Sequence, residues 1–191
     1  MSKIGIYGGS FDPIGNHHVA IGLAAQDHPD LDAVWFMPCY QHRFDKEPSD
    51  ADNRFRMVQL CLEGTDNLYP FKFEIEKKHN GSTHETLLLL DEKYPQHQFT
   101  VIIGIDNADV FDKWKNHEEL MSNWRFLVVG ESDKSENAWY TKEPHIHMKK
   151  DPKGRSTKIR QAVKDGNING LMKMTHPKVA EFIIENNLYS E

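Results

Sequence analysis

The chain has 191 residues, with 29 acidic against 23 basic side chains, a net charge of −6, 38% hydrophobic and 10% aromatic content. That length suits one domain with a packed core rather than a disordered segment, and the acidic balance without a basic stripe argues against nucleic acid as a partner. Two cysteines, Cys39 and Cys61, fit a reducing compartment, and no leader or run of about 18 apolar residues is read, so a cytoplasmic location with no membrane partner is expected.

Strand-like and helix-like segments alternate along the chain. Ile4–Tyr7 reads as a strand, and His17–Gln26 as a helix with Val19, Ala20, Leu23 and Ala24 inward. Ala33–Met37 is a second strand, followed by a polar loop over 39–50. Asn53–Leu62 reads as a helix with Met57, Leu60 and Cys61 apolar, and Phe71–Ile75 alternates like a half-buried strand. Ser82-Thr83-His84-Glu85 has the spacing of a capping box and opens a helix through Leu90. Phe99–Ile103 and Phe126–Gly130 are apolar runs of the kind found in central parallel strands. Arg155–Lys164 and His176–Asn187 read as two final helices, while 131–154 is charged and is expected to be the most mobile stretch. The alternation predicts an α/β fold, a doubly wound parallel sheet with helices on both faces, forming a single domain over 1–191 with 155–191 as a C-terminal helical subdomain. Ligands of such sheets bind beyond the carboxyl ends of the strands, which directs attention to 8–18, 38–46, 104–114 and 130–142.

The first of these loops is the most informative. Gly8 and Gly9 follow the first strand, then come Ser10, Phe11, Asp12 and Pro13, then His17 and His18 at the mouth of a helix. Glycines let the backbone approach an anion and aim N–H groups at it, and the helix presents its positive end to the same place. The loop has neither the full G-x-G-x-x-G pattern nor the terminal Gly-Lys-Ser/Thr of a P-loop, which disfavours an ordinary kinase or NTPase. His18 is the candidate catalytic donor to a phosphate oxygen, and His17 is read as a packing or surface residue.

Gly9-Ser10-Phe11-Asp12-Pro13-Ile14 with a histidine-bearing helix start resembles the nucleotidyltransferase superfamily, most closely the nicotinate/nicotinamide mononucleotide adenylyltransferases. Bacterial members carry two histidines here; Gly15 stands at the first and His18 at the second, with His17 at a glycine position. Arg155-Ser156-Thr157-Lys158-Ile159-Arg160 resembles the second signature of that family, with Arg155 in place of a serine. Gly104 and Asp106, followed by Trp114, match a third segment at a strand end. The resemblance implies that Gly9, Ser10, Phe11, His18, Gly104, Asp106, Ser156, Thr157, Ile159 and Arg160 bind ATP, with Asp106 placed for ribose hydroxyls. Trp114 would stack on the pyridine ring. Arg43, in a stretch with His42 and near Lys46, would face phosphates; Thr83 and Thr86 would line the mononucleotide pocket, where Ser82 replaces a tyrosine.

The implied reaction is adenylyl transfer from ATP to the mononucleotide, with Mg²⁺ bridging the phosphates and keeping mostly water ligands. The nicotinate substrate is slightly favoured over nicotinamide, with Lys113 and Lys115 flanking Trp114 as candidate donors. Two alternatives stay open. One is another nucleotidyltransferase, such as pantetheine-phosphate adenylyltransferase or a cytidylyltransferase. The other is a weakly catalytic module that binds NAD or ATP, suggested by the altered Gly15-Asn16-His17-His18. No protein metal site is expected: His145 and His147 read as surface residues, and the cysteines lack metal-ligand spacing. A homo-oligomer is compatible with the sequence.

Overall fold

The computed structural model describes residues 1–41, 49–79, 82–131, 138–150 and 152–190. Six parallel strands form one sheet: β1 (Ser2–Gly9), β2 (Ala33–Pro38), β3 (Leu68–Pro70), β4 (His97–Gly104), β5 (Arg125–Val129) and β6 (Ile146–Met148). Their order is β3-β2-β1-β4-β5-β6, with β1 in register against both β2 and β4, so that Gly9 lies beside Pro38 and Tyr7 beside Ile102. Strand order reverses between β1 and β4, and a crevice opens beyond their carboxyl ends, the place where sheets of this topology bind ligands.

Side chains of the central strands alternate between two cores, one on each face. Ile4, Ile6, Val101, Ile103, Phe126 and Val128 pack on one side; Tyr7, Ile102, Leu127 and Val129 pack on the other. Both faces are therefore dry, which is why these strands read as unbroken apolar runs. Helices α1 (Asn16–Gln26), α2 (Ala51–Leu62), α7 (Ser156–Lys164), α8 (Ile168–Met174) and α9 (Pro177–Glu185) cover the second face, through Ile21, Met57, Ile159, Leu171 and Val179. Helices α4 (Thr83–Lys93) and α6 (His117–Asn123), with the short turns α3 (Phe73–Glu76) and α5 (Ile105–Ala108), cover the first.

Several expectations need correction. The strand beside β2 is Leu68–Pro70, not Phe71–Ile75. The Phe71 N–H closes the pairing on Phe36 O at 2.8 Å, after which the chain leaves the sheet and coils into α3. Phe73 and Ile75 are both buried there, so two-residue spacing arose from one helical turn. In α1 the inward face is Ile21, Gly22, Ala24 and Ala25, while Ala20 and Leu23 face outward. The phase is fixed by Gly22: a β-carbon there would lie 2.4 Å from the buried Phe36 ring, so the helix approaches β2 at its smallest residue. His145 is buried and accepts a hydrogen bond from the Phe126 N–H at 3.3 Å, and His147 Nε2 lies 2.8 Å from Gly130 O, so these histidines bind β5 and β6 together rather than facing solvent. Helix α8 was not expected, while the possible strand around His145 and His147 is present as β6. No helix among the described residues is long and apolar enough to cross a membrane.

Candidate active site

The turn after β1 is the centre of the crevice. Gly8, Gly9 and Ser10 line a cleft together with Thr83, at the start of α4, and Trp114. Residues read separately as phosphate-binding and pyridine-binding thus open onto one cavity. Ser82 caps α4 by accepting from the Glu85 N–H, while the Glu85 carboxylate accepts from the Ser82 N–H, which fixes Thr83 at the rim. Trp114 is half-buried, with its ring 5.4 Å from Phe111 and one part open to the cleft, so it is at once packed and available for stacking.

His18 sits in the first turn of α1. Its Nδ1 accepts from the Gly15 N–H at 3.0 Å, so the neutral ring carries its proton on Nε2. The ring meets the buried Phe11 edge-on at 5.1 Å and lies 3.8 Å from the His17 ring. Burial, and then the neighbouring His17, push the His18 pKa down to about 3. The side chain is therefore an uncharged donor at neutral pH. His17 is also held below its usual value, by burial and then by Arg155, and its ring lies against Gly154, where a β-carbon would come within 2.6 Å. At Gly15 a β-carbon would lie 2.6 Å from Ile159 Cδ1 and 2.9 Å from His17 Nδ1. The space beside α1 that a side chain at 15 would need is filled by Ile159 and His17.

The other site candidates divide into those at the crevice and those behind it. Asp106, in α5 just after β4, and Arg155, which caps α7, approach to 3.8 Å and are both exposed, which joins the second and third sequence segments. Thr157 is exposed on α7. Ser156 instead donates to Pro13 O at 2.9 Å, and Arg160 donates to Asp12 O, so both brace the turn. The side chains of Phe11 and Ile159 are core, each 1% exposed, and the Phe11 backbone takes a left-handed φ of 47°. Thr86 is buried and donates to Glu74 Oε1 at 2.9 Å, one layer behind the cleft. Lys115 pairs with Glu85 at 2.5 Å. Arg43, His42 and Lys46 lie outside the described residues. Among the described residues, no group of three or more His, Cys, Asp or Glu side chains is arranged to hold a metal ion.

Two residues that bear on the site were missed. Arg54 is fully buried beneath the turn and donates to Ser10 O at 2.8 Å, Ser49 O at 2.9 Å and Tyr40 O at 3.1 Å. All three acceptors are backbone carbonyls, so the guanidinium places a positive charge beneath the turn. Its place on the apolar face of α2, three and four residues before Met57 and Val58, was the available signal. Glu74 lines the cleft from α3, and the strand reading of 71–75 hid it.

A doubly wound parallel sheet with a glycine turn and helix start at its switch point defines a nucleotide-binding protein of the Rossmann-like class. The chain belongs to the cytidylyltransferase-like family, whose model matches residues 6–162. It is 34% identical over 194 residues, covering 99% of this chain and 100% of the relative, to a probable nicotinate-nucleotide adenylyltransferase of Flavobacterium johnsoniae. A protein of the same description from Cytophaga hutchinsonii is 32% identical, with 98% of each chain covered. In fold it is similar to the Plasmodium falciparum nicotinic acid mononucleotide adenylyltransferase complexed with NaAD, with a TM-score of 0.84 at 23% identity over 99% of this chain and 98% of the other.

Proposed function

We propose that this protein transfers the adenylyl group of ATP to nicotinate mononucleotide, forming the deamido dinucleotide and pyrophosphate in the synthesis of NAD. The observation that carries the reading is the single cleft shared by Gly9 and Ser10 at the phosphate end and by Thr83 and Trp114 at the pyridine end. It agrees with the activity named for full-length relatives at 32–34% identity.

The chemistry asks little of the protein beyond placement. A phosphate oxygen of the mononucleotide attacks the α-phosphorus of ATP in line; that P–O bond forms as the bond to the β-phosphate oxygen breaks, and pyrophosphate leaves with the electron pair. The nucleophile is already an anion near neutral pH, so no general base and no covalent enzyme intermediate are needed. Orientation and charge stabilisation supply the rate. The uncharged His18 donates from Nε2 to a phosphate oxygen as charge moves toward the leaving group. The N–H groups of the glycine turn and the N-termini of α1 and α7 face the same anion, over the buried Arg54. Asp106 accepts from ribose hydroxyls. Mg²⁺ supplied with ATP would offset the phosphate charge, held by water and the nucleotide rather than by a carboxylate cluster among the described residues. The free cysteines fit a cytoplasmic enzyme.

The nicotinamide mononucleotide is the second reading, favoured by one observation: Glu74 lines the cleft, and a carboxylate there accepts from an amide N–H₂ and repels an acid. Chromatography of the product from ATP with each mononucleotide tests both. The deamido dinucleotide as the faster-formed product supports the first reading, NAD as the faster supports the second, and absence of both from folded protein rejects adenylyl transfer to a pyridine mononucleotide.

A further inference from the structure

The turn from Ser10 to Gly15 is gripped from behind by residues far away in sequence. Arg160 and Ser156 take the carbonyls of Asp12 and Pro13, and Thr175 Oγ1 donates to Ile14 O at 2.8 Å. The Asp12 carboxylate is held as well. Its Oδ1 accepts from the Tyr189 hydroxyl at 2.6 Å and from the Ser49 hydroxyl, and its Oδ2 accepts from the Ser49 N–H at 3.3 Å. The Ser49 and Tyr189 oxygens are themselves 3.1 Å apart, which closes a cycle among three segments of the chain.

Tyr189 is brought there by an unusual backbone. Asn187 and Tyr189 have φ values of 49° and 64°, in the left-handed region that residues with a β-carbon adopt reluctantly. The tail folds back onto the body so that the Tyr189 ring packs on the core face and its hydroxyl reaches Asp12. Burial and the nearby Asp12 both raise the phenol pKa, so the group remains a donor at any working pH. Tyr189 does not line the cleft.

We propose that Tyr189 is a positioning residue for the ATP phosphates: by holding Asp12 it fixes the Ser10–Gly15 backbone, and with it the N–H groups and His18 that face the anion. The inference rests on the reading that this turn is the phosphate cradle. The physical reason is that a carboxylate held by three hydrogen bonds fixes its own Cα, and the two rigid peptide planes that meet there, Phe11–Asp12 and Asp12–Pro13, are held with it. Loss of one tie lets the cradle drift by a fraction of an ångström, and catalysis by placement is sensitive to such drift.

Tyr189→Phe keeps the ring and removes only the donor. The readout is calorimetric affinity for α,β-methylene-ATP with Mg²⁺, beside affinity for the mononucleotide and the melting temperature. The expected result is analogue binding weakened about tenfold, the scale of one net hydrogen bond, with mononucleotide binding unchanged. Ile183→Val, a core change in α9, is expected to lower the melting temperature and leave both affinities alone. Unchanged analogue affinity in Tyr189→Phe, or equal loss for both ligands, overturns the proposal. A parent protein that binds the analogue but releases no pyrophosphate overturns adenylyl transfer alone, because the affinity comparison still decides the role of Tyr189. A parent that fails to bind the analogue overturns both.

Discussion

The N–H of Gly15 donates to Nδ1 of His18 at 3.0 Å, so the residue that caps α1 also selects the tautomer of the side chain three positions on. The bond leaves Nε2–H as the free end of a ring that burial keeps uncharged. His18→Ala removes this donor while leaving the Phe11 and Ile14 core in place. It is expected to lower kcat by about 10²-fold, the scale of losing one transition-state donor, with circular dichroism unchanged. A variant with near-parental kcat would take His18 out of the mechanism.

The same burial makes stability depend on pH. His18 titrates near 6.5 when unfolded but near 3 when folded, and His17 and His145 are also lowered by burial. Below pH 6.5 the unfolded chain therefore binds protons that the folded chain refuses. The stabilisation is complete above that pH and is lost progressively as the pH falls toward the folded value. Thermal melts at pH 7.5, 6.0 and 5.0 are expected to show a falling Tm, with a shallower fall in His18→Ala. Equal slopes in the two proteins would contradict the assignment.

Trp114→Ala separates the two ends of the cleft. Its ring is half-buried against Phe111 and open to the site, so truncation is expected to raise KM for the mononucleotide more than KM for ATP. Initial rates with each substrate varied in turn measure this. Equal increases would make Trp114 a core residue only.

Arg54→Met strips three partly buried carbonyls of the donor they share. An unsatisfied buried acceptor costs about 1–3 kcal/mol, so a loss of roughly 3 kcal/mol in denaturant unfolding is expected even with the hydrophobic replacement. ATP affinity falls with it, because the charge beneath the cradle is gone. Arg54→Lys is expected to recover only part of either, since one ammonium cannot span carbonyls from Ser10, Ser49 and Tyr40.

What could be read from the sequence was what local chemistry encodes. The glycine pair, the Ser82–Glu85 cap and the apolar central strands are fixed by near neighbours and lie where they were expected, except that Gly8 and Gly9 still belong to β1 and the chain turns after them. The phase of α1 was missed because hydropathy weights Leu23 above Gly22, whereas packing against Phe36 is decided by size. Gly22→Ala is accordingly expected to cost about 1–3 kcal/mol by overpacking, with kinetic constants unchanged in the surviving folded protein. Ser49, Thr175 and Tyr189 were illegible for another reason. Each acts through hydrogen bonds to the turn, and Tyr189 does so from 177 positions away, a relation with no trace in composition or periodicity.

The central claim is that the cleft joins ATP to a pyridine mononucleotide. The direct measurement is pyrophosphate release from the folded protein with ATP, Mg²⁺ and nicotinate or nicotinamide mononucleotide supplied separately. The account predicts turnover, with the higher kcat/KM for the nicotinate form. No pyrophosphate with either mononucleotide, from protein that melts cooperatively and binds ATP, would contradict it.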